Sequence, residues 1–216
     1  MVDKDTRVAD IGSDHAYLPV ELIEEKVCQF AIAGEVAPGP MSRSKEDVDK
    51  FGLSKQIDVR LGDGLAVIKP EDQIDTVVIA GMGGILIQNI LTRATTDQLS
   101  NVKTLILQPN IGEPLVRHWL VENNFEIVDE DIVEEEHHVY EIIKANKVEQ
   151  AKPLNSAQFL MGPVLMTKKT PTFIAKWQHK LNSYQKAVEN MSHAKKIDQA
   201  KIDLMNQDIK YIEEIL

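Results

Sequence analysis

The chain has 216 residues, of which 43% are hydrophobic, and a formal net charge of −10. This length suits one large domain, or one domain with an appendage, and the acidic balance argues against a simple nucleic-acid coat protein. The single cysteine, Cys28, excludes an internal disulfide framework, and we expect it to be buried because its neighbours are apolar. No apolar run approaches the ~18 residues of a membrane-spanning helix and no signal peptide opens the chain, which predicts a cytoplasmic protein without a membrane partner.

Short apolar runs alternate with longer amphipathic ones over the first 145 residues, as in βαβ units. Strands are predicted at 7–12, 30–36, 57–62, 75–81, 103–109, 125–133 and 139–145. Helices are predicted at 15–26, 40–51, 83–91 and 112–123. The last two strands flank a short acidic turn and should pair antiparallel. The pattern therefore predicts an α/β fold with a mostly parallel sheet.

The pattern changes after residue 145. Residues 146–172 contain three prolines and no sustained periodicity, so we interpret them as a linker or crossover. Two heptad runs follow, and they predict an antiparallel coiled-coil hairpin with a break near Ser192–Lys195. The apolar positions of the two runs are Ile174, Trp177, Leu181, Tyr184, Val188 and Met191, then Ile202, Met205, Ile209, Ile212 and Leu216. We expect these two seams to pack on each other in a monomer, the alternative being a dimer seam.

The charge is unevenly divided along the chain. Residues 153–216 carry nine lysines against six acidic side chains, whereas residues 1–152 have a net charge of −13. This asymmetry favours a catalytic body at 1–150 followed by a linker and a separately charged arm at 151–216. A solvated helix face is the alternative explanation of the positive charge.

The stretch "VADIGSDHAYLP", residues 8–19, begins like a nucleotide-binding loop and then departs from that pattern. Asp14 stands where dinucleotide binding needs the second glycine of GxGxxG, and an acid there would repel a pyrophosphate. A ligand with an amine or a sulfonium tolerates the acid, and S-adenosylmethionine fits this description. We expect Asp10 to take the ligand ammonium and the helix N-terminus after Gly12 to favour its carboxylate.

Two more acids follow predicted strands. Glu35, in "AIAGEV", lies about twenty residues beyond the loop, where a carboxylate can accept both ribose hydroxyls. Asp63, in "LGDGL", is placed to bind the adenine amino group, although an ordinary Asp-Gly turn explains it as well. Glu35 has a similar alternative as a solvent-facing residue. Because ligands collect at strand ends in open α/β sheets, the three acids together favour a cofactor site.

The fourth and fifth predicted strands end in unusual loops. In "IAGMGG", three glycines follow a buried strand and let the backbone approach a ligand. A base-modifying methyltransferase normally has a polar clamp here, but this chain has neither a carboxylate nor Asn-Pro-Pro. Gln108 and Asn110, in "LILQPN", instead offer donors and acceptors that match a base edge. The alternative is that Pro109 and Asn110 only form a turn.

The motifs "ADIGSDHAYLP", "AIAGE", "IAGMGG" and "LILQPN", in this order and spacing, resemble the bacterial tRNA (adenine-22-N1)-methyltransferase family. "FLMGPVL" resembles that family's junction into its C-terminal domain, so the resemblance covers most of the chain. It implies a Rossmann-like domain that binds S-adenosylmethionine, a C-terminal coiled-coil domain that helps to hold tRNA, and methyl transfer to N1 of adenosine. Family members typically carry a helix before the first strand, whereas this strand begins near Arg7, which predicts a shortened N-terminus.

Residues can now be assigned to the predicted site. Those expected to bind the cofactor are Asp10, Gly12, Ser13, Asp14, His15, Glu35, Val36, Asp63, Gly64, Ala80, Gly81 and Met82. Those expected to be catalytic are Asp14, His15, Gln108 and Asn110. Adenine N1 has a lone pair at neutral pH, so the reaction needs positioning and an acceptor-rich surface more than a strong base. We expect the two amides to read the base edge, Asp14 to stabilise the cationic product and Met82 to pack on the ring, with His15 as an unneeded general base.

Other interpretations remain open. A small-molecule methyltransferase would share the cofactor residues, and a non-catalytic S-adenosylmethionine-binding protein would lack only the reaction. A nicotinamide dehydrogenase would need glycines that the first loop does not have. His137 and His138 lie in "EEEHHVY", where adjacent strand residues would point to opposite faces, so we expect a solvated turn and no metal site.

Overall fold

A computed structural model describes residues 1–193 and 198–216. Its centre is a seven-stranded sheet in the order β3-β2-β1-β4-β5-β7-β6. The strands are β1 (Thr6–Ile11), β2 (Cys28–Glu35), β3 (Ile57–Leu61), β4 (Thr76–Gly83), β5 (Thr104–Ile111), β6 (Phe125–Glu135) and β7 (His138–Lys147). All seven predicted strands are confirmed. The first five pair in parallel, whereas β7 pairs antiparallel with both β5 and β6, as expected of the last two strands.

Strand order reverses between β1 and β4. Chain order runs outward from β1 to β2 and β3 on one side, and from β4 to β5 on the other. The carboxyl ends of β1 and β4 therefore open a crevice, which is where ligands bind in doubly wound sheets. The sheet is covered on both faces, since Val77 and Ile79 of β4 belong to one apolar cluster and Val78 belongs to the other.

Eight α-helices surround or extend this sheet in the described residues. They are α1 (Tyr17–Glu24), α2 (Pro38–Lys50), α3 (Gly84–Thr92), α4 (Glu113–Glu122), α5 (Ser156–Met161), α6 (Leu165–Lys168), α7 (Pro171–Ser192) and α8 (Gln199–Ile215). The four predicted helices of the α/β part are confirmed with shifted ends. Within the ranges 1–193 and 198–216, no helix combines the length and apolarity that a membrane crossing requires.

The start of α1 differs from the prediction. Asp14, His15 and Ala16 all have left-handed backbone conformations, with φ of 38°, 61° and 55°. Such a turn cannot continue into a right-handed helix, so α1 begins at Tyr17 instead of residue 15. The helix expected after Gly12 therefore begins two residues later than predicted, and the role of its N-terminus toward a ligand carboxylate stays a prediction.

Residues 146–172 contain more structure than the predicted linker. Helices α5 and α6 lie within them, and Asn155 and Gln158 form a reciprocal capping box at the start of α5. Met161 and Leu165 are fully buried in an apolar cluster with Ile132 of β6. These helices have six and four residues, which is too short for an apolar period to be visible in the sequence.

The helical hairpin is confirmed as a pair of packed antiparallel helices. Trp177 and Leu181 of α7 are buried with Ile212 of α8, and Lys169 Nζ, just before α7, donates to the carbonyl of Ile215 near the end of α8. The end of α8 therefore lies beside the start of α7. Its supercoiling and the boundary at residue 150 stay predictions.

The predicted seam residues are wrong at the start of α7 and at the end of α8. Ile174 is 45% exposed whereas Phe173 is fully buried, because the first turn of α7 packs in the cluster beneath β6. Leu216 is likewise 41% exposed, while Ile215 packs against that cluster. Helix α7 ends at Ser192 as expected, and the rest of the predicted break lies in residues 194–197, outside the described residues.

A buried cluster of charges joins the sheet to the C-terminal helices. Arg117 of α4 is fully buried, and its guanidinium pairs with Glu130 of β6, at 2.8 Å, and with Glu141 of β7. Glu141 also accepts from Lys176 of α7, whose Nζ lies 2.7 Å from Glu113 at the start of α4. We call these five residues the Arg117 cluster. A buried charge is costly unless it is paired, so the cluster holds α4 and α7 in one arrangement.

Candidate active site

A cavity of about 180 Å³ lies at the carboxyl ends of β1, β2 and β4, where the strand order predicted a crevice. Five of the predicted cofactor residues line it, namely Gly12, Val36, Asp63, Gly64 and Met82. Leu86 and Ile90 of α3 also line it. These two could not be singled out from the sequence, since apolar residues at helical spacing are typical of any core-facing helix.

Gly12 brings the backbone close to this cavity. Its φ is +75°, and a Cβ at this position would collide with the methyl group of Met82. A larger residue would therefore be strained in backbone and in packing alike. This close approach joins the first motif, from β1, to "IAGMGG", from β4.

Asp10 lies on β1, two residues before Gly12, and is only 5% exposed. Ser13 Oγ donates to Asp10 Oδ2 over 2.6 Å. Burial raises the pKa of Asp10 to about 6, the charge of Glu35 adds to the rise, and the Ser13 hydrogen bond opposes it. A buried carboxylate with one hydroxyl partner is under-solvated, so a cationic ligand group would be bound favourably beside it.

Glu35 ends β2 and is 6% exposed. Its Oε1 accepts the backbone N–H of Asp14 at 2.8 Å, which ties the loop after β1 to the end of β2. The structure gives Oε2 no donor from residues 1–193 or 198–216. That oxygen is available to hydroxyl groups of a ligand, as the sequence predicted for the ribose.

Asp14 and His15 lie in the left-handed turn and do not line the cavity. The Asp14 side chain is exposed. The His15 ring stacks on Tyr17, with centroids 5.2 Å apart, and its Nδ1 lies 2.7 Å from Asp47 Oδ2. Hydrogen bonds from Lys50 and His15 lower the pKa of Asp47. The sequence missed Asp47 because a single acid on a predicted helix is ordinarily a solvated residue.

Gln108 and Asn110 come together on the other side, around the peptide units of Gly81. Gln108 Oε1 accepts the Gly81 N–H at 2.7 Å, and Asn110 Nδ2 donates to the Gly81 carbonyl at 2.9 Å. Gln108 Nε2 also donates to Asn110 Oδ1 at 3.1 Å. The two amides thus hold the loop that contains Ala80 and Met82, a role that the sequence did not predict. Each amide keeps one N–H that makes none of these bonds and could donate to a base edge. Recognition of a base edge by these amides stays a prediction.

Two other predicted positions are partly explained by local contacts. Asp63 lines the cavity but is exposed, and its carboxylate pairs with Arg93 at 3.0 Å and 3.3 Å. An incoming adenine amino group would compete with that exposed ion pair. His137 lies in the tight turn between β6 and β7, and His138 begins β7, both exposed, which confirms the predicted solvated turn.

The reversed strand order, the glycine-lined cavity and the two buried carboxylates define a Rossmann-like enzyme domain with a nucleoside-type ligand site. The sequence profile of the family TrmK, tRNA (adenine(22)-N(1))-methyltransferase, matches residues 8–214. The chain belongs to this family.

Individual relatives agree with that membership. The tRNA (adenine(22)-N(1))-methyltransferase of Bacillus subtilis (strain 168) is 41% identical over 198 residues, which cover 90% of this chain and 82% of that protein. A Streptococcus pneumoniae protein solved in complex with S-adenosyl-L-methionine is 38% identical, with a TM-score of 0.89 over 100% of this chain and 94% of that one. Mycoplasma capricolum TrmK, solved with S-adenosyl-homocysteine, is 25% identical, with a TM-score of 0.84 over 99% and 92% of the two chains.

Proposed function

We propose that this chain is an enzyme that transfers a methyl group from S-adenosylmethionine to N1 of adenosine 22 in tRNA. The observation that carries the proposal is the pair of buried carboxylates, Asp10 and Glu35, near the carboxyl ends of the neighbouring strands β1 and β2, whose adjacent residues Ile11, Gly12, Gly34 and Val36 line the cavity. The family supports the reaction, and the cavity supports its location at this edge of the sheet.

The donor set fits S-adenosylmethionine. Asp10, buried and bonded only through Ser13, is suited to the ammonium of its amino-acid end. Glu35 has an oxygen for the ribose hydroxyls, and Val36, Gly64 and Ile90 give an apolar slot that can hold the adenine. When bound, S-adenosylmethionine supplies a methyl group on a positively charged sulfur.

The residues of this chain contribute positioning. The attacking N1 of the target base needs no deprotonation, so a general base is unnecessary and His15 can remain paired with Asp47. Gln108 and Asn110 fix the Gly81 loop. Their remaining N–H groups and lone pairs would orient the edge of the target base. The product base carries a positive charge, which acceptor-rich groups at this edge stabilise.

tRNA requires a cationic surface that the acidic body does not provide. The C-terminal arm supplies lysines off the apolar seams, including Lys180, Lys201 and Lys210. Lys195 and Lys196, which the sequence also favours for phosphate contacts, lie outside the described residues. Contacts of this kind make affinity fall with rising salt, without reading sequence.

The direct test is to incubate the full chain with methyl-labelled S-adenosylmethionine and unmodified tRNA, and then to map the labelled nucleoside. We expect 1-methyladenosine at position 22. A tRNA in which adenosine 22 is replaced by guanosine is the matched control and should take up no label. Label on small metabolites alone would instead indicate a small-molecule methyltransferase, and cofactor binding without any transfer would indicate a non-catalytic protein.

A further inference from the structure

A second cavity, of about 240 Å³, lies between the start of α4 and the side of α7. The α4 wall begins at Gly112, and the facing walls include Leu160 of α5 and Trp177, Lys180 and Tyr184 of α7. We call it the α4–α7 groove. The Arg117 cluster fixes its walls, because Lys176 of α7 is bonded to Glu113, the first residue of α4.

The groove lies next to the active-site edge of the sheet. Gly112 is two residues along the chain from Asn110, and two residues span at most about 7 Å. Asn110 holds the loop at which the target base is expected. An enzyme that acts on N1 must take the base out of its stack, which displaces the neighbouring backbone as well. A nucleotide adjacent to the target would therefore pass within reach of the groove.

Two lysines line the groove, and within the described residues one of them has no salt bridge. Lys176 is 19% exposed and is paired with Glu113 and Glu141. Lys180 is exposed, and its Nζ lies 4.9 Å from the centroid of the Tyr184 ring. No carboxylate of residues 1–193 or 198–216 lies within salt-bridge distance of it; Asp208 of α8 is nearby, since burial raises the pKa of Asp208 and the charge of Lys180 opposes that rise. The ring attracts the ammonium and positions it without neutralising it.

The exposed surface of the groove suits the sugar and phosphate of a nucleotide. Leu160 and Tyr184 are half-buried and offer apolar and aromatic area, whereas Trp177 is only 3% exposed and belongs to the core between α7 and α8. An aromatic ring beside a cationic lysine is the usual composition of a single-stranded nucleic-acid subsite.

We propose that the α4–α7 groove binds a nucleotide adjacent to the target adenosine in the substrate tRNA. Lys180 pairs with its phosphate, and Leu160 contacts its sugar. Tyr184 is a positioning residue that acts through Lys180. This inference rests on the proposed function, because that function supplies tRNA as the occupant.

The test compares Lys180→Glu with Lys186→Glu in the full-length protein. Both changes reverse one exposed lysine on α7, but Lys186 does not line the groove. The readout is the affinity for unmodified tRNA, measured by fluorescence anisotropy at several salt concentrations without cofactor. We expect Lys180→Glu to weaken binding on the order of tenfold to a hundredfold, as for a lost charged hydrogen bond. Its salt dependence should fall by about one phosphate contact, and Lys186→Glu should have a much smaller effect.

Tyr184 supplies a second comparison. Tyr184→Phe keeps the ring under the ammonium and should bind tRNA like the wild type, whereas Tyr184→Leu should weaken binding. S-adenosylmethionine affinity should be unchanged in all four variants. Equal losses in Lys180→Glu and Lys186→Glu, or an effect of Lys180→Glu on cofactor affinity, would overturn the groove proposal. Wild-type methyl transfer, assayed separately, decides the proposed function, so the two can fail independently.

Discussion

Replacing Asp10 with asparagine should stabilise the ligand-free protein while weakening its cofactor binding. The pKa of Asp10 rises from an ordinary value of 3.8 to about 6. Well below pH 3.8 the carboxyl is protonated in both the folded and the unfolded chain, so it has no effect on the free energy of unfolding. As the pH rises to 6, the unfolded chain ionises first and the free energy of unfolding falls. Well above pH 6 the free energy of unfolding has fallen by about 3 kcal/mol in total. This is about 1.4 kcal/mol for each pH unit between the unfolded and the folded pKa.

Asparagine removes that cost and can still accept from Ser13 Oγ. We therefore expect Asp10→Asn to raise the free energy of unfolding by up to about 3 kcal/mol at pH 8, with the gain falling below about 1 kcal/mol at pH 4. Urea unfolding at pH 4, 6 and 8 measures this, with Asp97→Asn as an exposed control of equal charge change. Calorimetry at pH 8 should show S-adenosylmethionine binding weakened at least about tenfold. A variant that is destabilised equally at all three pH values would refute the reasoning.

Three further changes test other contacts. Glu35→Ala removes the proposed ribose acceptor and should weaken S-adenosylmethionine binding by about 1–3 kcal/mol in calorimetry, so unchanged affinity would remove Glu35 from the site. Arg117→Met removes the guanidinium shared by the buried Glu130 and Glu141, leaves Glu130 without a cationic partner and should cost about 3–5 kcal/mol in urea unfolding, whereas a cost below 1 kcal/mol would contradict the strength assigned to the Arg117 cluster. Gly162→Ala places a Cβ 2.6 Å from the Arg117 guanidinium at a φ of +88° and should destabilise by about 1–3 kcal/mol. Its control, Gly39→Ala, meets no atom within 4 Å and should not destabilise.

The sheet could be predicted from the sequence because its signals are local. Each strand is a short apolar run between turn residues, and the alternation with helical patterns indicates parallel pairing. The same property placed Asp10, Glu35 and Asp63 at one edge, since carboxyl ends of parallel strands share an edge of the sheet. The motifs around these acids carried the resemblance to the family that the profile match confirms.

The roles of Gln108 and Asn110 show what such signals omit. Their position at the end of β5 was predictable, but their bonds to Gly81 depend on the pairing of β4 with β5. The left-handed turn at Asp14–Ala16 is similar, because the Asp14 N–H is held by Glu35, which lies 21 residues away. A single sequence does not contain the register and twist that bring such groups together.

By itself, the sequence determined the order of the elements, the edge of the sheet at which a ligand is expected, and the family. Apolar period, turn residues and contiguous motifs each act within about one turn or one strand of the chain. The tertiary structure alone decided that Arg117, Glu130 and Glu141 form one buried cluster with Lys176, and that this cluster sets the groove beside the active site. These residues come from α4, β6, β7 and α7, and in the sequence each is an ordinary charged residue. Only packing excludes the water that would otherwise separate them.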